Sequence, residues 1–317
     1  MQRSGGSATP RPGRGVVRRW GAALTATTAA VAVALPTADA RAAGGAPTIG
    51  AKGAYLLDAD ADRPLLDKAA DTRRPMASTT KIMTAVVVLD EHADELDREV
   101  VIKQSYRDWV TSRQASTADL RTGDTLTVRQ LLYGMMLPSG CDAAYALADT
   151  FGTGETEKAR TDSFVAAMNK KARELRMRNT RFESFDGNSA PGAKNESTPR
   201  DLAILARHAL GNDTLRAVMR SMSTQQKATN VNRLYTWYNT NKLLGSYADV
   251  IGVKTGSTRA AGPCLVFAAR RAGRTVVGVL LNDQAGRYPD AAKMLDYAFH
   301  TSTRLQLRKL PSGAHED

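Results

Sequence analysis

The chain begins its patterned region with two short apolar runs, Ala54-Tyr55-Leu56-Leu57 and Pro64-Leu65-Leu66, split by the turn-forming stretch Asp58-Ala59-Asp60-Ala61-Asp62. That pattern predicts a β-hairpin. From Ile82 to Leu89 almost every position is apolar, which predicts a helix covered on all sides, between two lobes. Helical spacing returns at Leu131, Leu132, Tyr133, Met135 and Met136, with Thr127 placed to cap the helix. Pro138-Ser139-Gly140 interrupts it and Asp142 starts another helix through Tyr145 and Leu147, so Ser139 is expected on a tight corner facing a cleft. Residues Asp162 to Met177 carry an apolar stripe, and a polar loop from Glu183 to Ser197 follows, of the kind that lines sites. Thr198-Pro199 then opens a helix to Leu210. The last third reads as strands at 250–255, 264–269 and 275–281, with Arg271-Ala272-Gly273-Arg274 as a hairpin turn and an amphipathic helix from Tyr288 to His300. Two strands early, helices in the middle and three strands late imply one sheet completed by both chain ends, with a helical lobe inserted.

Arg11, Arg14, Arg18 and Arg19 precede an apolar run from Gly21 to Leu35, which is followed by Ala38-Asp39-Ala40. Residues 1–40 are therefore expected to be a secretory signal peptide cut near Ala40, and 41–46 a linker. The run falls below the roughly 20 residues that span a bilayer, which disfavours a retained anchor. Arg18-Arg19 leaves a twin-arginine export route open. Of the net charge of +12, residues 1–40 account for +4 through five Arg and one Asp, which leaves +8 for the rest. Such a protein is drawn to an anionic cell surface or wall polymer. Nucleic acid is disfavoured, because Lys and Arg are scattered, aromatics are 6% and no base-reading module is visible. Cys141 and Cys264 are the only cysteines, too few for a disulfide scaffold or a four-cysteine metal site, although a bond between them stays open in an exported protein. His92, His208, His300 and His315 lie far apart, against a Ser-His-Asp triad or a histidine-zinc site. The Asp58–Asp62 alternation lacks the Gly and Glu of a calcium loop, having Arg63 and Ala69 there.

Ser78 and Lys81 stand three residues apart at the head of the apolar helix, hence on one face. With Pro75 as the first helical residue, Ser78 falls in the first turn, where unpaired N–H groups favour an alkoxide. Burial favours a neutral lysine, which can accept a proton. This nominates Ser78 as nucleophile and Lys81 as its base, but Ser-x-x-Lys by itself is frequent by chance.

Two further elements change that: Ser139-Gly140-Cys141, 61 residues beyond Ser78, and Lys254-Thr255-Gly256, 115 residues beyond Ser139. Ser-x-x-Lys, a Ser-centred second element and Lys-Thr-Gly in this order form the motif set of penicillin-binding proteins and class A β-lactamases. Over about residues 47–300 the sequence resembles the D-alanyl-D-alanine carboxypeptidase family, the low-molecular-mass penicillin-binding proteins. Asn239-Thr240-Asn241-Lys242-Leu243-Leu244 and Ser197-Thr198-Pro199-Arg200-Asp201-Leu202 also look like the family. The resemblance implies an α/β (α+β) penicillin-binding-protein/β-lactamase-like fold, with a five-stranded antiparallel sheet flanked by helices and an inserted all-helical lobe. It implies a catalytic domain at 47–303 with a sheet lobe at about 47–90 and 225–303, a helical lobe at about 91–224, and a tail at 304–317. Family roles would make Ser78 attack the carbonyl between two terminal D-alanines, Lys81 take its proton and Ser139 relay a proton to the leaving D-alanine. Lys254 would add positive potential, Thr255 hold the substrate carboxylate, Gly256 admit the substrate strand, and the N–H groups of Ser78 and Ser257 form the oxyanion hole.

Implied partners are peptidoglycan stem peptides, with β-lactams as covalent inhibitors. The resemblance implies no cofactor and no metal. Localisation is expected to be extracytoplasmic, with peripheral association to membrane or wall; Leu305–Leu310 is too short and charged to anchor the chain. One position departs: where the family usually has Asn, this chain has Cys141, as some actinobacterial D,D-transpeptidases do. A thiol bonds weakly to substrate or to Lys81, which bears on the balance between hydrolysis and transfer to an amine. A class A β-lactamase would need a loop glutamate, but neither Glu183 nor Glu196 is followed by the Leu-Asn of that pattern. A silent wall-binding domain would have no use for Lys81 beside Ser78. Cys141 as nucleophile would lack a neighbouring His.

Overall fold

The computed structural model describes residues 45–188 and 195–314. The expected leader at 1–40, residues 41–44 of the expected linker and the last three residues of the tail lie outside the described residues. Strands Gly53–Asp58 (β1) and Arg63–Lys68 (β2) form the expected hairpin. The turn acidic groups are taken up within the protein: Asp58 accepts from Arg274 Nε (2.8 Å) and from the Ala61 N–H (3.2 Å), and Asp62 pairs with Arg207.

Next come a two-residue strand, Arg74–Pro75 (β3), a 3-10 turn over Ala77–Thr80, and helix Lys81–Glu91 (α1). The expected helix start at Pro75 is thus corrected. Proline suits a short edge ribbon as well as a helix start, and here tertiary pairing decides: Pro75 lies opposite Glu196 and Arg74 opposite Ser197.

The inserted part follows with Glu99–Val101 (β4), Gln104–Arg113 (α2), Thr125–Thr127 (β5), Val128–Met136 (α3), Cys141–Phe151 (α4) and Glu157–Glu174 (α5). Thr127 caps α3 as expected, through a reciprocal capping box with Gln130. Helix α5 begins five residues before Asp162, because Thr156 accepts from the Ala159 N–H and caps it there. Beyond the loop come Glu196–Ser197 (β6), Pro199–Leu210 (α6) and Asp213–Arg220 (α7), then the hairpin Ser223–Lys227 (β7) and Leu234–Tyr238 (β8). The expected helical lobe at about 91–224 is not wholly helical, since β4 pairs with β5, and the β7–β8 hairpin falls mostly in the stretch expected to belong to the sheet lobe. The β7–β8 hairpin stands outside the main sheet and is tied to the helical part by Trp237 Nε1 donating to Ala118 O (2.8 Å) and Tyr235 OH to Asp124 (2.5 Å).

The chain closes with Val250–Thr258 (β9), Gly262–Arg271 (β10), Arg274–Leu281 (β11) and Arg287–Phe299 (α8). The antiparallel sheet runs β2-β1-β11-β10-β9, so both ends of the chain complete it, as the pattern implied. Strand alternation splits its side chains between two cores. Leu56, Leu265, Phe267 and Leu280 pack with Met294 and Leu295 of α8, whereas Leu57, Val266, Ala268 and Val279 join the core containing α1. Residues Lys81 to Leu89 of α1 are all buried, so the apolar run is indeed covered on every side. None of the helices among the described residues is long and apolar enough to cross a membrane.

Candidate active site

Ser78 lies in the 3-10 turn with 8% of its surface exposed, and Lys81, the first residue of α1, is wholly buried. Lys81 Nζ donates to Ser78 Oγ (2.9 Å), to the Asp186 carbonyl (2.7 Å) and to Cys141 Sγ (3.3 Å). An ammonium has three donors, and three acceptors from three segments surround it. The Asp186 loop is fixed to the same helix one turn on, where Thr84 Oγ1 donates to the Phe185 carbonyl (2.5 Å). Its base is held by Asn195, whose side-chain oxygen accepts from the N–H groups of Glu183 (2.7 Å) and Ser184 (3.1 Å).

Two glycines let backbone close on the Ser78 turn. Gly187, at φ +84°, passes so near that a Cβ there would overlap the Ala77 carbonyl. On the other side a Cβ on Gly256 would lie 2.9 Å from Ser78 N and 3.0 Å from Thr79 N. Strand β9 therefore runs directly against the Ser78 turn, and Gly256 is what permits it.

Ser139 occupies the expected α3–α4 corner in a left-handed conformation (φ +64°). Its buried hydroxyl has no hydrogen-bond partner among the described residues. The corner is held from behind by Asp142, whose carboxylate accepts from the Ala118 N–H (2.8 Å), the Leu120 N–H (3.1 Å) and Thr117 Oγ1 (2.8 Å). On β9, Lys254 and Thr255 are buried; Lys254 Nζ donates to the Thr255 carbonyl (3.1 Å), and the Thr255 and Thr240 hydroxyls share a hydrogen bond (2.6 Å). Ser257 is exposed, at the point where β9 leaves the Ser78 turn.

Of the residues nominated from the sequence, Ser78 and Cys141 both touch Lys81, and Gly256 abuts Ser78. Lys254, Thr255 and Ser257 enter through the same strand, and Ser139 through its position two residues before Cys141. Sequence reasoning missed the Asp186 carbonyl, because a backbone acceptor carries no residue-type signal. It also missed Trp109, whose Nε1 donates to Asp186 Oδ2 (2.8 Å), and Arg287, whose Nη1 donates to the carbonyls of Gly256 (3.1 Å) and Cys264 (3.2 Å).

Both cysteines are free and buried, so the bond left open between them is not formed. Burial pushes the Cys141 thiol up to about 12, against the pull of the Lys81 charge, and Cys264 up to about 11. A thiol held protonated in this way is a poor nucleophile. His92 and His208 are engaged by Glu95 and Asp90. Among the described residues, no group of three or more His, Cys, Asp or Glu is arranged to hold a metal ion. Glu183 binds Arg181 (2.9 Å) and Glu196 sits in the β6 ribbon.

The sequence profile described as D-alanyl-D-alanine carboxypeptidase matches residues 40–285. The chain belongs to the D-alanyl-D-alanine carboxypeptidase family. It is 48% identical over 259 residues to a D-alanyl-D-alanine carboxypeptidase of Streptomyces sp. strain K15, covering 80% of this chain and 88% of that protein. The crystal structure of the Streptomyces K15 DD-transpeptidase superposes with a TM-score of 0.78 at 49% identity, covering 81% of this chain and 100% of the other. A D-alanyl-D-alanine carboxypeptidase structure from Mycobacterium tuberculosis H37Rv gives 0.73 at 29% identity, with 85% and 98% covered. The chain is accordingly a serine-type peptidase of the carboxypeptidase and transpeptidase group, with the penicillin-binding-protein fold.

Two outcomes follow for this member of the family. Gly256→Ala pushes β9 off the Ser78 turn and should lower kcat/KM on a D-Ala-D-Ala peptide by about 10², with the unfolding midpoint in urea little changed. Iodoacetamide at pH 8 should leave both thiols of the native protein unmodified and add two groups after denaturation, read by intact mass; one or none after denaturation would contradict free, buried thiols.

Proposed function

We propose that the protein is an exported serine D,D-peptidase that acts on D-Ala-D-Ala ends of peptidoglycan stem peptides through an acyl-serine intermediate. The observation that carries this reading is the Lys81 Nζ–Ser78 Oγ contact of 2.9 Å between two buried side chains. Ser78 Oγ attacks the carbonyl between the terminal D-alanines and its proton passes to Lys81 Nζ, a step that requires the lysine in its unprotonated form. Charge develops on the carbonyl oxygen, to which the N–H groups of Ser78 and Ser257 would donate; a lost donor of this kind typically costs about 10²–10³ in rate. Collapse breaks the peptide C–N bond, and the leaving D-alanine nitrogen takes a proton relayed by Ser139, whose buried hydroxyl is unengaged among the described residues. Thr255 would bind the substrate carboxylate, and Lys254 would add positive potential. Cys141, beside Lys81, lines the same site. Attack on the acyl-serine by water completes a carboxypeptidase cycle and attack by an amine a transpeptidase cycle.

A β-lactam presents an amide carbonyl to the same serine, which makes it a covalent inhibitor on this reading. We further assign residues 47–303 to the catalytic domain, the first forty residues to an export leader, and the site of action to the wall or the outer face of the membrane. The +8 charge outside those forty residues favours retention near an anionic surface.

The test is product analysis on a D-Ala-D-Ala peptide with and without an amine acceptor. Free D-alanine with shortened peptide indicates hydrolysis, an acceptor adduct indicates transfer, and neither product would sink the reading. Ser78→Ala should abolish the mass increment left by a β-lactam; an unchanged increment removes Ser78 from the nucleophile role. Cys141→Asn puts an amide that donates and accepts strongly where the thiol now faces Lys81. The hydrolysis-to-transfer ratio should rise, and an unaltered ratio would show that this position does not set the outcome.

A further inference from the structure

A second concave site shares no residue with the catalytic group. A cavity of about 740 Å³ lies at the C-terminal end of α5, and Arg73, Arg173, Arg176, Arg178 and Arg181 line it, with no Asp or Glu among its lining residues. Its size is within the roughly 300–1,000 Å³ of ligand sites. Arg181 is paired with Glu183, whereas Arg73, Arg173, Arg176 and Arg178 have no ion-pair partner among the described residues. The wall behind them is fixed: Asn169 donates to the Phe182 carbonyl (2.8 Å) and accepts from the Phe182 N–H (3.0 Å).

Cations at a helix C-terminus complement its dipole by about 0.3–1 kcal/mol, and the effect is confined to the last turn. That accounts for Arg173, in the last turn of α5, but not for the rest. Arg73 arrives from the segment before β3, and Arg178 and Arg181 from the run into the Asp186 loop. Glu183 and Asp201 stand beside the cluster, through Arg181 and Thr180, but two carboxylates against five guanidinium groups leave an excess of positive charge that an anion can offset. Planar guanidinium forks match phosphate oxygens in bidentate fashion.

We propose that this arginine-lined cavity binds a phosphodiester-linked polyanion. A lipid headgroup is the other phosphate source, but an interfacial surface needs apolar groups to insert. Among the described residues the exposed large apolar side chains are Val101, Met222, Val231, Leu234 and Leu307, and none lines this cavity. Arg73 lies five residues before Ser78 and Phe182 four before Asp186, so a bound polymer is held against the outer ends of the two segments that build the catalytic group. Tethering there raises the effective concentration of the enzyme near a polymer-bearing wall.

The inference does not rest on the acyl-serine reading. Binding of fluorescent poly(glycerol phosphate) to the full chain is measured by anisotropy, alongside hydrolysis of a soluble D-Ala-D-Ala peptide. Arg173→Gln with Arg176→Gln should weaken polymer binding about tenfold or more, with steep salt dependence. Arg220→Gln with Arg304→Gln removes equal charge at exposed positions elsewhere and should change binding less than about twofold. Peptide hydrolysis should be unchanged in both pairs; inactivity of the unsubstituted protein would count against the catalytic reading alone. Equal losses in the two pairs, no loss in the cavity pair, or no binding by the unsubstituted protein overturns the proposal. Tighter binding to phosphatidylglycerol vesicles than to polymer, lost in the cavity pair, overturns it in favour of a lipid site. Arg178→Gln serves if the double variant misfolds by circular dichroism, and should show a smaller loss in the same direction.

Discussion

A lysine buried beneath an apolar helix is tolerable only if its donors are met, because an unpaired buried charge costs several kcal/mol. Lys81 meets that condition by drawing three separate segments to one point: its own turn through Ser78, the α3–α4 corner through Cys141, and the polar loop through the Asp186 carbonyl. Much of the architecture follows from that demand. Helix α1 is enclosed by the sheet and by the helical part, so the acceptors for Lys81 have to come from the protein segments packed around it. The loop that supplies Asp186 is anchored twice to the same helix, by Lys81 and by Thr84, and its side chain is held by Trp109. A group this constrained meets its neighbour Ser78 at a fixed distance, and preorganisation of that kind is what nucleophilic catalysis requires.

The opposing constraint comes from the sheet. Strand β9 is at its edge and reaches the Ser78 turn only because β1 and β2 from the N-terminal side and β9 to β11 from the C-terminal side form one sheet. Close approach then excludes a side chain at position 256, and Arg287 ties the Gly256 and Cys264 carbonyls of β9 and β10 together from helix α8. The Lys-Thr-Gly element is therefore positioned by long-range pairing, while the Ser-x-x-Lys element is positioned by local helical geometry.

That division explains what could be read from the chain. The Ser78–Lys81 contact, the Thr127 cap, the Ser139 corner and the late strands were legible because each is local or strongly periodic. Helix α2 was not, since only Tyr106 of its residues is buried and no apolar stripe marks it. The β7–β8 hairpin was hidden for a related reason: Ser223–Lys227 is polar throughout and buries no residue. Pro75 misled because two states suit a proline, and a partner 121 residues away chose between them. The Asp186 carbonyl could not have been found by residue type at all.

Cys141 shows how the two levels meet. Read from the sequence, a thiol in place of an amide means a weaker partner for lysine and substrate. The fold adds that this thiol is buried and held protonated, so it is a poor nucleophile and meets Lys81 as a neutral acceptor. The Cys141 N–H donates to the Ser116 carbonyl (2.8 Å), and Asp142 clamps the adjoining loop. Beside these clamps the thiol adds only a long contact to the Ser139 carbonyl (3.9 Å) and its contact with Lys81 (3.3 Å). On the acyl-serine reading proposed above, position 141 is one where the chemistry facing Lys81 can change while the backbone clamps on the corner remain.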